Sequence, residues 1–422
     1  KITFLYKMAG FKDKIISFIA LFATSLIVLN RLDTELEVPR INEEFNAYRQ
    51  MSAYLGDGEC RWEAPAEVVP EDLDLLKTLV VGYPSGDKRV TYLQMEALTG
   101  WSAKDEWDLF QKGLTNEPFI KSNYPHHEGV WGWEDAADQV VLVIRNIRTA
   151  MIHYHDILWD LAYPQNYKDA QKHIEDLYGS SPPESDFVKW RDAHIVEEIH
   201  WYGWFIDYWM EGGLLRDPHT HNITTKEHWD IITLHSNRYS KKDHSHETIV
   251  GDEEVTMTYD PHCLHDFAEG CKPVAIISAE RLINPETGPT ETHKIAMALH
   301  GKRGIGDYVI NKDAWDCIWE ELIVNKKGLR TFLDRDGDSE KQFNFSAEIL
   351  TLMLEEVDRL IEKYSDPVWI LSPKVPILVS ILTDNRNSLL QELSEVETGV
   401  RELRNEDFLG PKTRAKREQD IA

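Results

Sequence analysis

The residues best suited to chemistry are cations placed where strands end. Lys88 and Arg89 follow the turn Gly82–Gly86, and Arg145 follows the apolar run Val140–Ile144. Between them lie Lys121 and, just past Pro125, His126 and His127. Ligands of parallel α/β sheets collect at the C-terminal edge of the strands. A helix that begins there adds main-chain N–H groups and the positive end of its dipole. Two basic strand ends in one chain suit a nucleotide that carries two separate phosphates. Both His126 and His127 carry an imidazole, the side chain whose ordinary value lies nearest neutrality and so suits taking a proton from a hydroxyl.

The elements that must position these groups are legible as a repeated pattern. Leu79–Val81 reads as a buried strand, Tyr83-Pro84-Ser85-Gly86 as a turn, and the next stretch as a helix. In that helix Val90, Leu93, Met95 and Leu98 are apolar and Gly100 is the stop. The turn is a phosphate-loop reading without the Walker pattern, since no GxxxxGK[ST] is present. Residues 139–158 repeat the order, with strand Val140–Ile144, the step Arg145-Asn146 and a helix. Val274–Leu282 holds a further strand, followed by a helix at His293–Leu299, and Ala347–Lys363 reads as a C-terminal helix. Alternating strands and helices predict a three-layer α/β/α fold with a mainly parallel central sheet.

The pair of strand ends resembles the sulfotransferase family, whose members use the donor PAPS (3′-phosphoadenosine 5′-phosphosulfate) on a P-loop-NTPase-like fold. Tyr83-Pro84-Ser85-Gly86 and the downstream Tyr92-Leu93-Gln94-Met95-Glu96-Ala97-Leu98-Thr99-Gly100 echo the family's first signature. The branch they are most similar to is that of WSC-domain-containing and related membrane-bound sulfotransferases. Val143-Ile144-Arg145-Asn146 echoes the second signature, the strand that binds the 3′-phosphate. Lys121-Ser122-Asn123-Tyr124-Pro125 stands where the family has a middle strand ending in Lys-Thr-His-x-Pro, and Val274–Leu282 resembles a later strand. The resemblance spans roughly residues 76–365, in the family's order. It departs in four places. The first loop is one residue short, Lys88 and Arg89 replace a Thr pair, Asn123 replaces the catalytic His, and His153 replaces a Ser after the phosphate-binding Arg.

The resemblance implies roles. Ser85, Gly86, Asp87 and Lys88 would cradle the 5′-phosphosulfate, with Lys88 or Arg89 neutralising charge on the leaving group. Arg145 and His153 would hold the 3′-phosphate, joined by Arg330 in a late basic loop. Lys121 would face the transferring sulfuryl group. His126 or His127 would replace the missing base, Glu96 being a poorer choice inside its helix. The acceptor would be a hydroxyl of a carbohydrate or small molecule, and no metal is needed. Two other readings stay open. One is a sulfotransferase fold that binds without turnover. The other is a Golgi glycosyltransferase that uses Asp334 and Asp336 of the segment DRDGD.

Composition bounds the partners. A net charge of −27 disfavours nucleic acid, which requires a basic surface. Residues 15–30 begin with the uncharged run Ile15–Leu29, preceded by Lys7, Lys12 and Lys14 and followed by Asp33, Glu35 and Glu37. That pattern predicts an uncleaved signal anchor with residues 1–14 cytoplasmic, Met8 being a plausible initiator. A cleaved signal peptide and a buried helix are the rivals. The expectation is therefore a single-pass type II Golgi membrane glycoprotein with its catalytic domain in the lumen. Residues 31–75 form an acidic stem, 76–365 the main domain with a His-rich insertion at 217–270, and 366–422 a C-terminal extension. From about Asn385 that extension reads as an exposed helix and then a charged tail.

Other constellations carry less. Cys60, Cys263, Cys271 and Cys317 allow three disulfide pairings, with Cys263–Cys271 close enough to close a small loop. Asn222 and Asn344 head glycosylation sequons. The histidines from His219 to His265 fit no closed zinc spacing. DRDGD lacks the Gly and Glu of a calcium loop. Trp190, Trp201, Trp204 and Trp209 predict a helix with a thick aromatic face, for core packing or for lining an acceptor pocket.

Overall fold

The computed structural model describes residues 75–85, 88–106, 117–126, 129, 137–162, 184–212, 245–250, 253–258, 273–300, 302, 304–325, 343–367, 369, 372–404 and 407–410. All of them belong to one compact unit, Leu55–Ala422. The expected anchor and stem, Cys263–Cys271, Asn222, Arg330 and the DRDGD segment lie outside the described residues.

Five parallel strands form the central sheet: β1 (Thr78–Gly82), β2 (Ala103–Asp105), β3 (Phe119–Ser122), β4 (Gln139–Ile144) and β7 (Ala275–Ser278). Their order is β2-β3-β1-β4-β7, with β1 in the middle and the loop after it running into a helix. This is a P-loop-like α/β fold. A separate antiparallel hairpin, β5 (Ser245–Val250) and β6 (Glu253–Thr258), lies within the His-rich segment. The three-layer expectation therefore holds.

Every residue of β1 and of β4 is buried, as a parallel sheet covered on both faces requires. Alternation divides the strands between two cores. Leu79, Val81, Ile120, Val140, Leu142, Ile144 and Ile276 point to one side. There they meet α2 (Ile147–Ala162), α3 (Glu184–Met210), α7 (Ala347–Ser365) and α8 (Val375–Glu397). The other side is covered by α1 (Lys88–Thr99) and α5 (Gly288–Leu299). The short α4 (Ala279–Ile283) leads from β7 into α5, and α6 (Trp315–Trp319) packs against α5 and α1.

Local chemistry sets the ends of the helices. Gly100 stops α1 with φ +74°, a left-handed conformation that a side chain resists. Asn146 caps α2, its Oδ1 accepting the Arg148 N–H at 2.9 Å. Ser346 caps α7 through the Ile349 N–H. The aromatic helix is longer than its tryptophans suggest, because Glu184 and Asp186 favour its N-terminal turn. Trp204 and Trp209 are fully buried, so core packing accounts for them. One boundary is corrected. The stretch from Asn385 is helical and largely exposed, but it is the second half of α8 rather than a helix of its own, with Leu389 in the core and Asn385 and Glu392 buried beside it.

Candidate functional site

β1 and β4 are neighbours with Gly82 opposite Val143, so the turn after β1 and the Arg145-Asn146 step open onto one edge. Lys88 is the first residue of α1 and is 2% exposed. Its Nζ donates to the carbonyls of Gly82 (2.8 Å) and Tyr83 (3.3 Å) and to Asn123 Oδ1. The stem of Lys88 lies across Gly82, where a Cβ would stand 3.0 Å from Lys88 Cγ and 3.2 Å from the Val143 carbonyl. Burial, then the charge of Lys121, lowers Lys88 to about 7, against the pull of Glu106 and Asp105.

Ser85 turns its hydroxyl back onto the Tyr83 carbonyl at 3.1 Å, which shapes the turn. Gly86 and Asp87 lie outside the described residues. Arg89 is half-buried beside Lys88. Lys121, near the end of β3, is salt-bridged to Asp105 at the end of β2, with its Nζ 5.7 Å from the Tyr92 ring centre. Desolvation works against its charge, but Asp105, Tyr92 and Glu106 together hold Lys121 above the ordinary lysine range.

His126 is completely buried. Its Nε2 lies 3.2 Å from Glu198 Oε2 on α3, the same oxygen that accepts the Tyr83 hydroxyl. Tyr83, Tyr154 and Trp201 surround the imidazole edge-on, 5.0–5.6 Å between ring centres. Burial, then the charge of Lys88, drives His126 well below the usual histidine value. Burial and Glu198 raise the Tyr83 phenol well above its own. This trio fastens α3 to the phosphate-loop turn. His127 lies outside the described residues.

At the second strand end the structure brings Arg145 and His153 together. Arg145 Nη1 lies 3.0 Å from His153 Nδ1. Arginine has no acceptor, so Nδ1 is the accepting atom of this contact. Arg145 is 7% exposed, and its carbonyl accepts the Tyr202 hydroxyl at 2.6 Å. Glu280 stands beside the pair, its Oε1 3.8 Å from Arg145 Nε and accepting the Asn146 N–H at 2.7 Å.

A cavity of about 10 Å³ joins the two strand ends. It is walled by Gly82, Tyr83, Ser85 and Lys88, by Val143, Ile144 and Arg145, and by Tyr202, Phe205 and Ile206 of α3. That volume admits about one water-sized group. Among the described residues no cluster of His, Cys, Asp or Glu is arranged to hold a metal.

The geometry adds residues that the sequence reading did not single out. Glu106 follows β2 and is 1% exposed, accepting from Ser122 Oγ (2.7 Å) and from the Asn123 N–H (2.6 Å). Asn123 thus touches Lys88 through its side chain and Glu106 through its main chain. Glu198 and Glu280 complete the set. The strand before Glu106 is three residues long, too short to show a period, and Glu198 sits among aromatics that announce only a core.

The fold is that of a P-loop-like α/β domain with buried cations at two adjacent strand ends. No family model, curated protein or solved structure matches the chain.

Proposed function

We propose that the chain is a sulfotransferase that moves a sulfuryl group from PAPS to a hydroxyl of a carbohydrate or small-molecule acceptor. One observation carries the reading. Buried Lys88 and buried Arg145, each beside the start of a helix, line a single cavity between neighbouring strands. Buried cations next to helix N-termini favour anions, and two of them match the two phosphate positions of PAPS. In this assignment Lys88 meets the 5′-phosphosulfate, and Arg145 with His153 meets the 3′-phosphate. When bound, PAPS supplies the sulfuryl group; the acceptor oxygen bonds to sulfur as the sulfur–oxygen bond to the 5′-phosphate breaks.

The acceptor proton needs a base. His126 is engaged with Glu198, and burial together with the charge of Lys88 holds its imidazole from taking up a proton. Glu106 is as enclosed and already accepts from Ser122 and the Asn123 N–H. It is nevertheless a carboxylate one residue removed from Lys88 through Asn123, at the C-terminal edge of the sheet, and is the second candidate. Lys121 is then a partner of Asp105 rather than a group facing the sulfur.

Cys317 is disulfide-bonded, with its partner outside the described residues. Disulfides persist in the secretory path, which supports the Golgi lumen as the place of work. A membrane anchor at residues 15–30 belongs to the same proposal; among the described residues no helix is long and apolar enough to cross a membrane.

A second reading is a binding protein without turnover. It is favoured by the narrowness of the cavity and by Asn123 at the place of the family's base. Isothermal titration with PAP, the desulfated donor, tests the first step for both. Micromolar or tighter binding is expected, with a matching rise in melting temperature by mass action. Absence of binding overturns the first reading and leaves the second only as a protein that binds a glycan. Binding without transfer to any hydroxyl acceptor selects the second.

A further inference from the structure

An ammonium group has three N–H bonds to give. At Lys88 all three have acceptors: the Gly82 carbonyl, the Tyr83 carbonyl and Asn123 Oδ1. The first two belong to the central strand and its turn, and they cannot withdraw without disturbing the sheet. The third is a half-buried side chain just past β3. The main chain of Asn123 is separately fixed by its N–H bond to Glu106, which Ser122 also holds. The amide side chain can therefore rotate while its backbone stays in place.

We propose that Asn123 is the positioning residue of the anion site. Its side-chain oxygen holds Lys88 against the turn and yields one N–H to an oxygen of an incoming phosphate or sulfuryl group. Anion and Asn123 thus compete for the same donor. The inference rests on reading the β1 edge as an anion site.

A proton consequence follows from the surroundings. Asp105 and Glu106 face Lys88 from the end of β2, and Lys121 faces it from β3. His126, joined to Glu198 of α3, lies within its field, and Tyr83 and Arg145 share its cavity. Lys88 titrates at about 7, and a bound anion favours its charged form. Binding above that pH therefore takes up a proton, and affinity falls as pH rises.

The experiment is calorimetric titration of the full-length chain with PAP from pH 6 to 9, in buffers of differing ionisation enthalpy. Asn123→Leu and Asn123→Asp are compared with the unaltered protein. Asn123→Leu removes the competing oxygen and one stabilising partner of the charge. It should tighten binding about three- to ten-fold at pH 6 and move the midpoint of affinity loss to lower pH. Asn123→Asp supplies a carboxylate that holds Lys88. It should weaken binding at least about ten-fold at pH 7 and move the midpoint to higher pH. Midpoints that stay in place, or that move the same way in both variants, overturn the proposal. If the unaltered protein binds no PAP, the functional reading fails. The positioning role is then judged by the NMR titration of the Lys88 side chain, whose midpoint must move in opposite directions in the two variants.

Discussion

Glu96 lies in the middle of α1 with no exposed surface, one carboxyl oxygen accepting the Ala103 N–H at 2.6 Å. Burial pushes it up to about 8, although the Ala103 N–H, Arg89 and Lys104 pull the other way. The sign for stability follows. Between about pH 4.5 and 8 the folded chain keeps a proton that the unfolded chain releases, so Glu96 makes stability fall as pH rises through that window. Glu96→Gln should remove the slope and leave the variant more stable than the parent at pH 9 by about 3–5 kcal/mol, read from urea midpoints at pH 5, 7 and 9. Lys88 contributes the opposite slope above pH 7, so the difference between parent and variant is the quantity to compare. Arg145→Ala should weaken PAP by about 2–4 kcal/mol. Adenosine 5′-phosphosulfate, without the 3′-phosphate, should lose little. Equal losses for both ligands would mean that Arg145 acts through folding. Both cations were legible from local pattern, Arg145 as a charge directly after an apolar strand and Lys88 as a charge just after a Gly/Pro/Ser turn. Glu106 was not, because its meeting with Asn123 depends on β2 and β3 lying side by side.

At the scale of elements, α3 decides how the site is covered. Gly203 lets α7 approach it closely: a Cβ there would fall 1.5 Å from Glu356 Oε1 and 2.8 Å from Arg359 Nη2. Glu356 is held by Arg359 at 2.6 Å, and Arg359 and Lys363 reach fully buried Asp207 at 3.0 and 2.9 Å. Tyr364 donates to Asp207 at 2.8 Å. Gly203→Ala should displace the Glu356 carboxyl from this network and cost about 1–3 kcal/mol. Glu356→Ala removes the obstacle, so the double variant should be less destabilised than the sum of the two, a non-additivity measurable in denaturant. The helix at 190–209 was visible from its aromatics, yet its seat on α7 was not, since a glycine in a helix reads only as a weak helix former. The reverse happened with α8. Charge density after Asn385 suggested a separate exposed helix, while the residues that seat α8 in the core, Val375, Leu378, Ile381 and Leu382, lie upstream.

At the scale of the whole molecule, the alternation of strands and helices announced a parallel α/β sheet, and the sheet is there. Its order was not legible, because local pattern says that Leu79–Val81 is a strand but not that β3 and β4 flank it. The compartment is tested by chemistry on the intact chain. In the lumenal reading, carbohydrate should be removable by endoglycosidase from Asn222. Asn344, which is only half-buried, should carry carbohydrate as well. Gel mobility and peptide mapping would show this, and a chain bare at both sequons would contradict the lumenal reading. Reduction of the Cys317 disulfide should lower the melting temperature, as loss of a native disulfide typically costs about 2–5 kcal/mol.

The placement of α8 has a bearing on how the protein is made. Leu378, Ile381, Leu382 and Leu389 close the same core that holds Leu79 and Val81 of β1, some 300 residues earlier (378 less 79 is 299). On the ribosome, the sheet edge that carries Lys88 and Arg145 is synthesised long before its last wall exists. When α8 emerges, α2, α3 and α7 already lie on that side of the sheet, and α8 closes what they leave open. The core therefore receives its last apolar face only when the C-terminal helix has been made.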